Sequence, residues 1–370
     1  MVKTSMPGCL PIMMALLLLS LCVTPVVADT YNGYMGKWMH CGSNITTQLT
    51  YEGHGNVTYY TQPESLYRGV GWTERAEIWT EADLLIPSSA TIERAILFVS
   101  YNWDNTPGGT PDFQVLFNNQ QIALPSAHYV DQSNKGFFGN YKYGLFVFDI
   151  TETFDDKEAN TLHVTANPGN SQALYPSTLA VMYSDPDEPW RQIFINEECD
   201  LIGYSATDAT YQTTRQEATA YAPFKGLEIE IDDIKRATLH SFAASAGPNE
   251  GNLIWNDEII ERTAWQGTSN TAHAEVFNIT NLLTDINVAG IQATEGIMVP
   301  IQQILVIEYH PTPTPIPAFT AVPLTGPAPL TINFSIRSSG ASVEWLWEYS
   351  NGDGWTEFST GMKPSYTFSN

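Results

Sequence analysis

The sequence predicts an all-β fold: two related, jelly-roll-like β-sandwiches in tandem, followed by a third, smaller sandwich. Three observations predict it. Helical periodicity is nearly absent, while Tyr, Phe, Trp, Thr, Val and Ile recur in short runs broken by Gly, Pro, Asn and Asp, as strands and turns require. Four sequence blocks recur in one order at distant positions. A Pro/Thr run, HPTPTPIP at 310–317, then divides the duplicated part from a C-terminal stretch with its own strand pattern.

The blocks carry the duplication. FVFDIT (146–151) answers EVFNIT (275–280), and IERAILFVS (92–100) answers IKRATLHSF (234–242). FQVLFNNQQI (113–122) pairs with GNLIWNDEII (251–260), and STLAVMYS (177–184) with QQILVIEY (302–309). Matches in a single order, with gaps differing only in loop length, mark two copies of one unit.

The first sandwich is expected over 29–190, with the Tyr- and Gly-rich segment 29–75 at its front, where LTYEGHGNVTYYT (49–61) reads as strand, turn and strand. Residues 92–101 are apolar on both faces after Arg94, the pattern of a strand inside a sandwich core, and 143–151 reads the same way. DPDEPW (185–190) is a Pro-broken junction, so the second sandwich is expected over 191–310. Residues 311–317 are a stiff polyproline II linker, and 318–370 form the last module.

Residues 1–28 read as a signal peptide: Lys3, an apolar run over 11–23, and small residues ending at Ala28. That run is short for a bilayer span and no later segment is apolar enough, so the mature chain is expected outside the cell or on its surface, without inserting into the membrane. Cleavage removes one of 16 basic residues and none of 40 acidic ones, moving the net charge from -24 to -25. Such a chain repels nucleic acid and anionic lipid. The acids are scattered among many aromatics, which speaks against disorder.

Export leaves two cysteines, Cys41 and Cys199. A disulfide between them would tie the N-terminal segment to the start of the second copy; two separate buried thiols are the other reading. Four sequons, at Asn44, Asn56, Asn278 and Asn333, offer glycosylation sites. Asn278 stands where the first copy has Asp149, which suggests a structural turn or cap.

One loop stands out as a ligand site. YNWDNTPGGTPD (101–112) is the longest clear loop of the first copy and places Tyr101, Trp103, Asp104 and Asp112 together. An aromatic beside an acid can stack on a sugar ring and accept hydrogen bonds from its hydroxyls; alternatively, the loop simply packs on its own Trp. The second copy has SAGPNEG (245–251) here, shorter and without aromatics, so it is not expected to repeat that role.

The C-terminal stretch has GPAPL at 326–330, an alternating strand at 331–334, WLWEY at 345–349, GDG at 352–354 and a closing strand from Lys363-Pro364 to Phe368. It resembles the PKD (polycystic kidney disease) domain, an immunoglobulin-like β-sandwich common on cell surfaces, with Ser350-Asn351 inserted before the glycines. The resemblance implies roughly one more strand pair than the residues up to Asn370 supply, so a fragment of a longer protein is expected, the other reading being a domain that lacks its closing strand. The duplicated part, from about 31 to 310, also looks like a domain-of-unknown-function family in surface proteins of methanogenic archaea, resting on the FDIT and FNIT blocks. That resemblance implies an archaeal envelope and transfers no activity or site residue.

Catalytic constellations are missing from the sequence. There is no GxSxG elbow, HExxH helix, Gly-rich phosphate loop or CxxC pair, and the seven histidines are dispersed without metal-ligand spacing. The acid pairs at 155–156, 197–198 and 232–233 are chain neighbours, which point to opposite faces of a strand. No enzyme and no cofactor are therefore expected, with a structural calcium in an acidic loop as the remaining option. The expected function is a secreted or envelope structural and adhesion protein whose partners are other cell-surface proteins or glycans, with self-association also open. The alternative is a pair of carbohydrate-binding accessory modules of a larger secreted hydrolase.

Overall fold

The structure is a computed structural model describing residues 29–31, 44–106, 113–122, 124–132, 140–211, 213–311, 319–336, 346–350, 354–361 and 363–369. The leader, Cys41, Asp112 and the Pro/Thr linker proper lie outside these described residues.

The first half contains β1 (Asp29–Tyr31), β2 (Thr46–Thr61), β3 (Glu74–Trp79), β4 (Thr91–Asp104), β5 (Phe113–Phe117) and β6 (Gln120–Ile122). It continues with β7 (Ala127–Gln132), β8 (Lys142–Asp149), β9 (Asn160–Ala166), β10 (Ala173–Leu174) and β11 (Thr178–Ser184). The second half has β12 (Trp190–Glu197), β13 (Ile202–Tyr204), β14 (Thr219–Phe224), β15 (Ile234–Ala244) and β16 (Glu250–Trp255). After these come β17 (Glu258–Trp265), β18 (Ala272–Asn278), β19 (Asn287–Gln292) and β20 (Gly296–Tyr309). Beyond the linker, β21 (Phe319–Val322), β22 (Leu330–Ile336) and β25 (Ser365–Phe368) form one small sheet, and β23 (Trp347–Ser350) pairs with β24 (Trp355–Ser359).

The protein is all-β, and two runs of strand order in the first half recur in the second. The outer sheet β3-β9-β5-β6 of the first half corresponds to β14-β19-β16-β17 of the second, and β8-β4-β11 corresponds to β18-β15-β20. Local chemistry repeats with it. Asn118 and Asn256 both take a left-handed backbone, φ 48°, in the turn between paired strands, and each accepts a backbone hydrogen bond through Oδ1.

Strands apolar on both faces dictate how the sheets stack. Along β4, Leu97, Val99 and Tyr101 face Phe117, Leu162 and Val164 of the first outer sheet. Ile96 and Phe98 point the other way, where they meet Ile193, Phe242, Ile304 and Val306 of the second half. On the far side of that half, Leu239, Leu305 and Ile307 pack on Trp255, Ala289 and Ile291. The result is four sheet layers with three apolar cores, the middle one shared by the halves.

One strand joins the two inner layers. β2 pairs with β11 from Thr61 back to Gly55 and with β12 from His54 back to Thr46. The expected strand, turn and strand over 49–61 is thus one continuous strand, whose N-terminal half extends the second half's sheet rather than fronting the first. The turn signal of its glycines marks the place where the strand changes layers. At Gly55 a Cβ would run into the Tyr183 carbonyl oxygen and the Tyr51 ring, so only glycine fits the crossing.

Candidate functional site

β4 runs through Asp104, so the first residues of the expected loop are strand. Tyr101 is fully buried; its ring lies against Gly144, where a Cβ would collide with it, and its hydroxyl meets His128 Nε2 at 3.0 Å. Alternation along the strand turns it into the core, out of reach of a ligand, which corrects its place in the expected binding set. Asp104 is also buried: Oδ1 accepts from the Thr106 amide at 2.9 Å, so it ties down the strand end. Trp103 behaves differently. The β4–β8 register shifts between Tyr101 and Asp104, and the resulting bulge holds Trp103 at φ 53°. The half-buried indole packs edge-on against Tyr141, ring centroids 5.0 Å apart, and lines a cleft of about 530 Å³.

The opposite wall of that cleft belongs to the second half. The repeat alignment sets Trp103 against Ser245, and Ser245 also has a left-handed backbone, φ 57°, and lines the same cleft. Equivalent strand ends of the two copies therefore converge on one site. Ser245 Oγ meets the Tyr175 hydroxyl at 2.5 Å, and Tyr175 accepts from Asn102 Nδ2 at 2.9 Å, tying the two halves together behind the cleft.

Carboxylates, hydroxyls and aromatics furnish the rest of the lining. Glu250 Oε2 accepts from the Gly247 amide at 2.7 Å, and burial, reinforced by neighbouring Glu295, pushes its carboxyl up to about 7. Glu295 accepts from Ser205 Oγ at 2.5 Å. Asp208 accepts from the Thr210 amide and hydroxyl, at 2.9 and 2.7 Å, and these hydrogen bonds hold its carboxyl below the usual range. Tyr67 and Tyr211 add aromatic surface, and among the described residues that line the cleft there is no Lys, Arg or His.

A second cleft, about 840 Å³, lies beside the layer crossing, where Trp190 packs on Tyr309 at 5.1 Å among Glu52, Glu188 and Glu230. Its acidity is partly met from within, since Arg191 pairs with Glu188 at 2.7 Å and with Glu308 at 3.2 Å. Among the described residues no cluster of three His, Cys, Asp or Glu side chains is arranged to hold a metal ion.

The other sequence-derived positions fall in separate places. Asn44, Asn278 and Asn333 are exposed, whereas Asn56 is half-buried within β2 and its Oδ1 accepts from the Val57 amide at 2.9 Å. Cys199 is buried in the middle core, while its expected partner Cys41 lies outside the described residues. Sequence reasoning missed Glu250, Glu295, Asp208 and Tyr211. The available signal was the duplication itself, because loops at equivalent strand ends of two stacked copies can face each other, and the short loop 245–251 deserved equal weight.

Residues 33–308, which span both halves, match the model of a family described as a protein of unknown function, DUF3344. The chain belongs to the DUF3344 family. No curated protein matches it in sequence. Two crystal structures of the Arabidopsis thaliana ANX2 (ANXUR2) ectodomain are similar at 7% and 8% identity, covering 77% of this chain and 97% and 96% of theirs, each with a TM-score of 0.22. A Streptomyces avermitilis alpha-L-rhamnosidase complexed with L-rhamnose is similar at 12% identity over 83% of this chain and 29% of its own, with a TM-score of 0.18. Likenesses at that level bear on neither ligand nor reaction. The DUF3344 match covers both walls of the Trp103 cleft, so the site lies wholly within the family's own region.

Proposed function

We propose that this DUF3344 protein is an exported binding and adhesion protein of the cell envelope, acting without catalysis through contacts with surface proteins or glycans. The observation that carries the reading is the junction cleft, where a bulge-held Trp103 faces hydroxyls and carboxylates contributed by the other half. Concave sites with aromatic walls and a few placed polar groups are where proteins bind ligands. The leader, the stiff Pro/Thr spacer and the PKD-like last module support display on a surface, and the archaeal resemblance suggests an archaeal envelope. Two stacked sandwiches sharing a core make a rigid platform for such a site. Brief protease treatment of intact cells tests display: loss of the protein from the cells is the expected result, and full protection would contradict it.

A second reading, carbohydrate-binding modules of a larger secreted hydrolase, is favoured by the same pairing of Trp103 with Glu250 and Glu295. Purification of the native protein joined to a chain with glycosidase activity would select this reading.

A further inference from the structure

We propose that the junction cleft is a saccharide subsite that takes uncharged sugars and rejects anionic ones, with Trp103 as its stacking wall and Glu250 and Glu295 among its hydroxyl-hydrogen acceptors. The inference rests on the cleft being the contact site of the proposed function, and it adds the ligand class.

The chemistry of the two walls is unequal. Trp103 and Ser245 hold equivalent positions of the two copies, so one wall is aromatic and the other is a hydroxyl. A pyranose is unequal in the same way, with a face of C–H groups and a rim of hydroxyls. The ring face fits an indole, and the rim needs both acceptors and donors. Glu250 and Glu295 supply acceptors, while the half-buried Asn270 supplies an amide group that can do either. The left-handed backbones at Trp103 and Ser245 set these walls in fixed positions, which limits the ordering cost of binding.

Charge sets the selectivity. A uronate or sulfate in this cleft would sit beside several carboxylates, and among the described residues that line it there is no Lys, Arg or His to neutralise it. Like charges brought together in a partly desolvated site repel strongly. A basic peptide would meet the opposite sign, yet the carboxylates are already engaged by the loops that carry them: Glu250 by the Gly247 amide, Glu295 by Ser205 and Asp208 by Thr210. Burial also raises the Glu250 carboxyl to about 7, where the acid is half protonated near neutrality, unlike a resident counter-ion for an ammonium group. Among the described residues, the titratable groups that line the cleft with it are Glu295, Asp208, Tyr67 and Tyr211.

Calorimetric titration of the full chain decides the matter, with neutral gluco-, manno- and galacto-oligosaccharides, oligogalacturonate and oligolysine as probes. At least one neutral oligosaccharide is expected to bind, with oligogalacturonate weaker by about tenfold or more at low salt. Trp103→Ala is expected to weaken binding by about tenfold. Ser269→Trp, which fills the cleft from an exposed rim position, should abolish binding even if the Trp103 variant does not fold. No neutral sugar binding, equal binding of oligogalacturonate, binding of oligolysine alone, or unchanged binding by the Ser269 variant would each overturn the proposal. The protease experiment on intact cells reports display independently, so failure of the sugar assignment is separable from failure of the envelope reading.

Discussion

Asp149 and Asn278 differ by one atom type and do the same work. Asp149 Oδ1 accepts from the Thr151 amide at 3.1 Å and hydroxyl at 2.6 Å, and Asn278 Oδ1 accepts from Thr280 at 3.1 and 2.7 Å. The threonine hydroxyls in turn accept from buried amides, Ala95 at 3.1 Å and Ala237 at 2.9 Å. The repeated FDIT and FNIT blocks are therefore a backbone clamp at the end of a central strand, and the turn expected at Asn278 was legible because Asp and Asn share the one acceptor it needs. Thr280→Val leaves the Ala237 amide without that acceptor and is expected to cost about 1–2 kcal/mol in urea unfolding; no change would deny the clamp its role. Buried carboxyls were less legible, since neighbouring letters say nothing of burial. Glu197 is 6% exposed and accepts from the Tyr129 hydroxyl at 3.1 Å; burial raises its carboxyl to about 7. The folded state thus holds this proton more tightly than the unfolded chain does. The associated stability is fully present below the unfolded value, about 4.3, and is lost as pH rises through about 7. Glu250 acts in the same direction. The buried His240 imidazole, held down to about 4, acts in the opposite direction, so the variant carries the test: between pH 4 and pH 8 Glu197→Gln should lose up to about 3 kcal/mol less stability with rising pH than the unaltered protein, measured by calorimetry. An identical profile in the variant would refute the assignment.

Among the elements, β4 was readable and β2 was not. Residues 92–101 announced a core strand because both faces are apolar, and the strand lies there with a core on either side. Its end was misjudged because Asn102, Trp103 and Asp104 look like loop residues while the ladder with β8 continues to Asp104. In β2 the glycines read as a turn, but the β11–β12 segment follows it across the crossing, so the ladder resumes at His54 after a five-residue connection, 185–189, whose Asp185 amide donates to the His54 carbonyl at 3.0 Å. Long-range pairing of this kind leaves no periodic trace in either segment. Gly55→Ala is expected to destabilise by about 2–4 kcal/mol, measured by calorimetry, because the methyl group must displace backbone rather than a flexible side chain. A near-neutral result would mean that the crossing relaxes easily.

At the scale of the whole molecule, the duplication was legible in four sequence blocks, whereas the stacking of the copies was not. Repetition reveals shared topology, but only packing shows that the second apolar face of β4 and β20 is spent on the other copy. The Trp103 cleft was hidden for the same reason, because Glu250 and Glu295 join it only once the copies are stacked. The shared middle core makes the halves interdependent. Residues 44–311 are expected to melt in one calorimetric transition. Expressed alone, residues 191–311 would expose Ile193, Phe242, Ile304 and Val306 and lose their β2 edge, so aggregation is expected. Two resolved transitions, or a soluble folded second half, would argue against that coupling.

The crossing strand also fixes how the protein would bear a pull. Thr46 lies beside Glu197, which lies beside Gln302, while Gly53 and Glu308 flank Arg191, so β2 and β20 run in one direction with β12 between them. Tension applied at residues 44 and 311 drags these strands in opposite senses along their length, and every hydrogen bond of both ladders is loaded at once. Tension applied at residues 190 and 311, at one end of the β12–β20 pair, breaks the bonds in sequence. Optical tweezers with handles at each pair of positions should record the higher rupture force in the first geometry; equal forces would mean that the ladders do not carry the load.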